Sequence, residues 1–254
     1  MNTDDARESF YRCEDYFFRS ISKDCLDFEG EGTAYFTGSS SEYLNPFFLR
    51  NNRSSLGSIL EKAKAFYAVH NCPWVIIIPE DSVSENHEKI LRSFNFHLNE
   101  KSVAMGISLD ENTKFEMCQS SMIKPVNHNL KDWMIPLVDA FGSTLELSQQ
   151  YTEAHVRALL KAQFYHFTIY EGDRAAASLT LSLNQNGACL NDVGTLPLFQ
   201  RQGFASRLII HALLEARKLG ATQCFLEASD EGFSLYKKLG FTPLFKNNIY
   251  LEEG

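Results

Sequence analysis

Gln200-Arg201-Gln202-Gly203-Phe204-Ala205 is the stretch of this 254-residue chain best suited to hold an anion. An apolar run ending in Pro197 precedes it (Val193-Gly194-Thr195-Leu196-Pro197), and a long amphipathic run, Ser206 to Leu219, follows. The order is strand, tight turn, helix. Such a turn aims several unpaired N–H groups and the positive end of a helix dipole at one point. Gly203 and Ala205 leave little side chain in the way, so a phosphate can approach the main chain. The N–H groups from Arg201 to Ser206 are the candidate donors, and Arg201 either adds charge or is a solvated surface arginine.

The elements that must position this turn are legible on both sides. Gly220 stops the helix, and Ala221-Thr222-Gln223-Cys224-Phe225-Leu226-Glu227 forms a short strand behind it. Ser229 caps a further helix, with Asp230 and Glu231 in its first turn and Lys237 and Lys238 in its last. Gly240 ends that helix, and a last strand runs from Phe241 to Leu251. Upstream, helices are expected over Leu130 to Phe141 and Leu145 to Lys161, and strands over Phe164 to Tyr170, Ala175 to Leu183 and Ala188 to Leu196. Turns at Gly172-Asp173 and at Asn184-Gln185-Asn186-Gly187 separate the strands.

These segments resemble the GCN5-related N-acetyltransferase (GNAT) family. Gln200, Gly203 and Ala205 occupy the defining positions of motif A, Q/R-x-x-G-x-G/A. Leu235, Tyr236, Leu239, Gly240 and Phe241 match motif B, N-x-x-A-x-x-L-Y-x-x-L-G-F, with Ser229 in place of the Asn and Gly232 in place of the Ala. The resemblance covers roughly Met122 to the C-terminus and implies an α/β (α+β) fold, with a mixed, mostly antiparallel sheet flanked by helices. It also implies that acetyl-CoA is the co-substrate, without a metal, and that its pyrophosphate sits on the turn Gln200, Arg201, Gln202, Gly203, Phe204, Ala205 and Ser206. The strand Val193, Gly194, Thr195 and Leu196 would splay from its neighbour and pair with the pantetheine arm. A main-chain N–H at Val193 or a neighbour would polarise the thioester carbonyl. Tyr236 is the candidate general acid: a free tyrosine has a pKa of about 10, so it is protonated at neutral pH and can donate to the departing sulfur. Asp192 and Glu227 are alternative candidates for the base, directly or through water, and ordered water alone is a third option. Ser229 caps its helix and is a candidate contact to the cofactor. The activity implied is acetyl transfer to a primary amine of a small molecule, peptide or protein; the alternative is a non-catalytic CoA- or acyl-CoA-binding regulatory module.

Composition sets limits on these readings. Hydrophobic residues make up 44% and charged residues 22%, enough for a packed core. The net charge is −8 with no basic stripe, which disfavours nucleic acid as partner. Six cysteines, Cys13, Cys25, Cys72, Cys118, Cys189 and Cys224, are scattered through apolar runs and read as reduced thiols of a cytoplasmic protein. The seven histidines show no metal-ligand spacing. No apolar run is long enough to span a membrane, and the start of the chain lacks a signal-peptide core. A monomer or a homodimer is expected.

The first half repeats the order of the second. A helix over Asp4 to Ser20 places Phe10, Cys13, Phe17 and Ile21 on one face. Short strands follow at Thr33 to Thr37 and Phe47 to Leu49. Next come a helix over Ser54 to Val69, a buried strand over Trp74 to Ile78, a short helix over Asn86 to Ser93 and a strand over Lys101 to Leu109. Aligning Phe96 with Phe241 puts Leu91 at the position of Tyr236, and Arg53-Ser54-Ser55-Leu56-Gly57 is a poor phosphate turn. Residues 1–115 therefore read as a degenerate GNAT-like domain without a cofactor site, joined through Glu111 to Ser121 to a GNAT domain at 120–254; an unrelated α/β domain is the rival reading.

Overall fold

The computed structural model describes residues 3–51, 55–115, 122–185 and 187–253. Arg53 and Ser54, Cys118, the 116–121 part of the expected linker and Asn186 of the expected turn lie outside the described residues.

The first half contains α1 (Thr3–Ile21), β1 (Asp24–Asp27), β2 (Gly32–Phe36), β3 (Pro46–Leu49), α2 (Leu56–His70), β4 (Val75–Pro79), α3 (Glu85–Ser93) and β5 (Phe96–Ser108). The second half contains β6 (Ile123–Pro125), α4 (Leu130–Ala140), α5 (Leu145–Ala158), β7 (Phe164–Glu171), β8 (Arg174–Asn184), β9 (Gly187–Thr195), α6 (Phe204–Lys218), β10 (Gln223–Ala228), α7 (Asp230–Lys238) and β11 (Thr242–Glu252). Each expected helix and strand is present, and β1 and β6 are additions. The four residues expected on one face of α1, Phe10, Cys13, Phe17 and Ile21, are all buried.

The strands form one eleven-stranded sheet in the order β1-β2-β3-β4-β11-β5-β10-β9-β8-β7-β6. Its pairs are antiparallel except β3 with β4 and β9 with β10. The mixed, mostly antiparallel sheet flanked by helices is therefore as expected. In the middle of the sheet each half gives its last strand to the other. β11 lies between β4 and β5, while β5 lies between β11 and β10. The connections and pairing directions of β1-β2-β3-α2-β4-α3 are those of β7-β8-β9-α6-β10-α7.

Helices cover both faces. α2 and α3 pack on Phe47, Ile76 and Tyr250, and α6 and α7 on Leu179, Leu181, Ile107 and Leu226. The opposite face carries α1, α4 and α5, with Phe17 and Ile21 against Ala154 and Ala158. β4 lies between two layers, so its run Val75–Pro79 is buried throughout rather than alternating. β8 alternates more instructively. Leu179, Leu181 and Leu183 face α6, whereas Ser178, Thr180 and Ser182 point the other way and are equally buried. A polar layer thus lies inside the protein between β7–β9 and the helices α4 and α5.

Candidate active site

β9 and β10 pair only through Gln223 with Gly187, Cys224 with Ala188 and Phe225 with Cys189. Beyond Cys189 the β10-facing edge of β9 has no ladder partner, so the sheet opens into a wedge towards the C-terminal ends of these strands. On its other side β9 remains paired with β8 but carries a bulge: Thr180 pairs with Asn191 and Ser178 with Gly194. Asp192 sits in the bulge with φ +56°. The extra residue turns Asp192 towards α5 instead of letting the strand alternate. Val193 and Leu196 rest on the α6-side core, and Gly194 lies beneath Leu137 and Ala140 of α4.

The turn that follows β9 has the form the sequence implies. Arg201 (φ +61°) and Gly203 (φ +82°) are both left-handed. A Cβ at Gly203 would have no atom within 4 Å, so the space in front of this residue is open. Gln200 Nε2 donates to the Thr195 carbonyl (3.4 Å) and Gln202 Nε2 to the Leu198 carbonyl (2.8 Å). Both side chains thus brace the loop and leave the main chain of the turn to face outwards. Phe204 is an anchor, buried edge-on against Phe199, with ring centroids 5.5 Å apart. Arg201 is exposed, while Ala205 and Ser206 are half-buried. No side chain caps α6, whose first N–H groups have no intrahelical acceptor. These features suit a diphosphate at the helix start.

Tyr236 lies on α7 near the wedge, 8% exposed and packed on Phe241. Its hydroxyl has no hydrogen-bond partner among the described residues, and burial pushes its pKa up to about 12. Gly232, one turn earlier, is where the family pattern has Ala. A Cβ there would come within 2.8 Å of Tyr236 Cε2, so the missing side chain makes room for the ring. Ser229 caps α7, accepting from the Gly232 N–H at 3.3 Å.

The two candidate bases differ in their surroundings. Glu227 Oε1 accepts from Ser102 of β5 and from Asn247 Nδ2 of β11 (2.6 Å). Burial raises its pKa. Beyond it stand Glu14 of α1, raised to about 8 chiefly by burial, and its partner Arg50 at 3.2 Å. The first half therefore supplies Glu14, Arg50 and Ser102 to this side of the wedge. Asp192 is 10% exposed; its Oδ1 accepts from the Tyr151 hydroxyl at 2.7 Å, and its Oδ2 lies 3.7 Å from His155 Nε2. Burial raises its pKa to about 6, against the lowering effect of Thr180 and Tyr151.

Tyr151, His155 and His166 escaped the sequence reading. His155 lies on α5 and His166 on β7, eleven residues on, and only tertiary packing joins them. The available signal was a histidine at the centre of the apolar strand Phe164-Tyr165-His166-Phe167. Among the described residues no group of three or more His, Cys, Asp or Glu is placed to hold a metal, and no helix is long and apolar enough to cross a membrane. The described cysteines, Cys13, Cys25, Cys72, Cys189 and Cys224, are free. A cavity of about 590 Å³ beside Tyr16, Gln163 and Asn184 lies at the opposite end of β9 from the turn.

Residues 162–243 match the model of a family described as acetyltransferase (GNAT) domain. The matched stretch holds both sequence motifs, the wedge and the bulge. No curated protein matches the chain. Among solved structures, it is similar to a GCN5-related N-acetyltransferase from Kribbella flavida (13% identity, 96% of this chain and 95% of that chain covered, TM-score 0.70). It is also similar to a functionally unknown conserved protein from Staphylococcus epidermidis (13% identity, 92% and 95% covered, TM-score 0.67). A third is a tandem GNAT protein from the clavulanic acid biosynthesis pathway (10% identity, 90% and 83% covered, TM-score 0.59). At these identities the likeness is one of fold.

Proposed function

From the membership of residues 162–243 in the GNAT acetyltransferase domain family, we propose that the protein is an acetyl-CoA-dependent N-acetyltransferase acting on a primary amine. The observation that carries this reading is the wedge between β9 and β10 ending on an uncapped helix start. An open strand edge suits an amide-bearing arm added as a further strand, and the helix start suits a diphosphate.

The residues take roles that follow from their surroundings. N–H groups from Arg201 to Ser206 hold the pyrophosphate. The free edge of β9, from Val193 to Leu196, pairs with the pantetheine arm, and an N–H beside the bulge polarises the thioester carbonyl. The amine loses a proton and attacks that carbonyl; a C–N bond forms and the C–S bond breaks. Tyr236, with no partner on its hydroxyl and a raised pKa, donates a proton to the departing sulfur. Asp192 is better placed than Glu227 to receive the amine's proton. Its carboxyl, raised to about 6 by burial, suits a base near neutral pH, and its Oδ2 has no hydrogen-bond donor among the described residues. The two halves form a tandem in which residues 1–115 lack a cofactor site, since that half has no Q/R-x-x-G-x-G/A pattern, and lack the acid, since Leu91 stands where Tyr236 stands in the second half. The five cysteines among the described residues are free thiols, which suits a reducing compartment such as the cytoplasm.

Titration calorimetry of acetyl-CoA into wild type and Gly203→Glu tests the reading. The substitution puts a carboxylate in the open space before the turn. Binding by wild type that the variant loses is the expected result. No binding to wild type would refute the acetyltransferase reading, and equal binding by both would refute the placement of the pyrophosphate.

A further inference from the structure

The polar layer between β7–β9 and the helices α4 and α5 holds a chain of hydrogen bonds whose direction can be worked out. Asn127 Nδ2 donates to the Phe164 carbonyl at 2.7 Å, which turns Asn127 Oδ1 towards His166. That oxygen accepts from the His166 main-chain N–H (2.7 Å) and lies 3.0 Å from His166 Nδ1. His166 Nδ1 must therefore carry a hydrogen. Burial holds the His166 pKa far below its ordinary value, so the ring is neutral and its Nε2 is a bare acceptor. His155 Nδ1 lies 2.8 Å from that nitrogen and must be the donor. His155, fully buried and also held neutral by burial, is left with a lone pair on Nε2. Asp192 Oδ2 lies 3.7 Å from this nitrogen. Both atoms are buried without a hydrogen-bond partner among the described residues. Two acceptors stand 3.7 Å apart, and an approach of roughly 0.8 Å would let one proton bridge them.

We propose that His155 Nε2 and Asp192 Oδ2 together form a receiver for a single proton, with His155 the positioning residue that makes Asp192 the base. In the step assigned to it, an N–H bond of the acceptor ammonium breaks and its electron pair stays on nitrogen. The proton forms an O–H bond on Asp192 Oδ2, and that O–H donates to His155 Nε2. After acetyl transfer the proton leaves to solvent. Asn127 and His166 fix the tautomer, and Tyr151 holds the other carboxylate oxygen. The groups facing the pair are few: Tyr151 from α5, His166 from β7, Thr180 from β8, Trp133 from α4 and Phe17 from α1. Among the described residues no lysine or arginine lies in ion-pair range of either group. Two neutral donors lie beside the pair, Thr180 Oγ1 next to Asp192 and Trp133 Nε1 on the ring packed against His155, and both are buried without a partner among the described residues.

The origin of the proton rests on the acetyltransferase reading; the proton arrangement does not, and it is measured first. Long-range proton–nitrogen NMR on the full-length, ¹⁵N-histidine-labelled protein reads both tautomers without a variant. The expected result at pH 7.5 is neutral His155 and His166, each with its proton on Nδ1. On acidification the His155 Nε2 signal moves with a single titration, and that movement is absent in Asp192→Asn. A proton on His155 Nε2 at pH 7.5, or a cationic ring, overturns the proposal. In the activity arm, His155→Gln offers an N–H to Asp192 and favours the carboxylate. The acid limb of kcat/KM should then move at least one pH unit lower, with acetyl-CoA affinity unchanged. A uniform fall in rate with the limb unmoved would overturn the use of the proton and leave His155 a packing residue. Absence of acetyl transfer by wild type would refute the function, while the tautomers would still decide the receiver.

Discussion

Replacing Asp192 by Asn should make the protein more stable at pH 8 and leave it unchanged at pH 3.5. The folded state raises the Asp192 carboxyl from 3.8 to about 6 because it is buried. It therefore binds a proton more tightly than the unfolded chain does. Below the unfolded value both states are protonated and no penalty exists. As pH rises through the interval from 3.8 to about 6 the folded state must either keep an extra proton or bury a charge, and stability falls. Above the interval the loss is complete, and a rise of that size corresponds to about 3 kcal/mol. Asparagine avoids the loss at nearly constant shape. Its Oδ1 still accepts from Tyr151, and its Nδ2–H meets the His155 lone pair, turning an acceptor–acceptor contact into a donor–acceptor one. The expected gain is about 1–3 kcal/mol at pH 8, with the upper value a ceiling because the new amide must be desolvated as well. Urea titrations of both proteins at pH 3.5, 5, 6.5 and 8 would trace the difference. Glu14 and Glu227 titrate equally in the two proteins and cancel. A variant less stable than wild type at pH 8, or a difference independent of pH, would refute the reasoning that Asp192 carries its charge at a cost.

Three further perturbations separate chemistry from fold. Tyr236→Phe removes a hydroxyl with no partner among the described residues; unfolding should move by less than about 0.5 kcal/mol. Its kcat, followed by thiol release with the best acceptor of an amine panel, should fall about 10²–10⁴-fold. With Tyr236 at about 12, wild type should also show no loss of kcat from this group below pH 10. Gly232→Ala pushes a methyl to 2.8 Å from the Tyr236 ring. The ring must shift by roughly 1 Å, enough to lower kcat by up to ~10²-fold, while the better helix former offsets part of the strain; unchanged kcat would mean that the ring's place is immaterial. Deleting residues 242–254 should abolish cooperative unfolding of the whole chain in calorimetry, and a surviving transition at the wild-type temperature would show that β4 and β5 hold without β11.

The turn from Gln200 to Ser206 and α7 were legible because their signals are local. Left-handed Gly203, the uncapped helix start and the Ser229 cap are each encoded within a few neighbouring residues. The α1 face and the all-buried β4 were legible because period and composition record burial. β1 and β6 were missed for a matching reason: Asp24–Asp27 is bounded by acids and Ile123–Pro125 spans three residues, so neither has a period to read. The exchange of β5 and β11 left no trace either. Both strands are long and follow a short helix, and either would satisfy either neighbour, so the choice is made by tertiary packing. The same holds for His155 and His166. Their spacing fits neither a helix face nor a strand face, and their meeting depends on α5 lying across β7. Asp192 was singled out through family resemblance; its inward turn depends on a bulge that no single residue announces.

The exchanged strands also set a timetable for synthesis. β4 is made early but gains its neighbour β11 only when residues 242–252 leave the ribosome. At typical elongation rates of ~5–20 residues per second, the roughly 130 residues between β5 and β11 take on the order of ten to thirty seconds. Through that interval β4, a run of apolar residues, waits with one edge bare, and β5 has neither of its final partners. Neither half can finish folding before β11 has emerged, so the wedge and the last strand of the first half close together once that strand is free to pair.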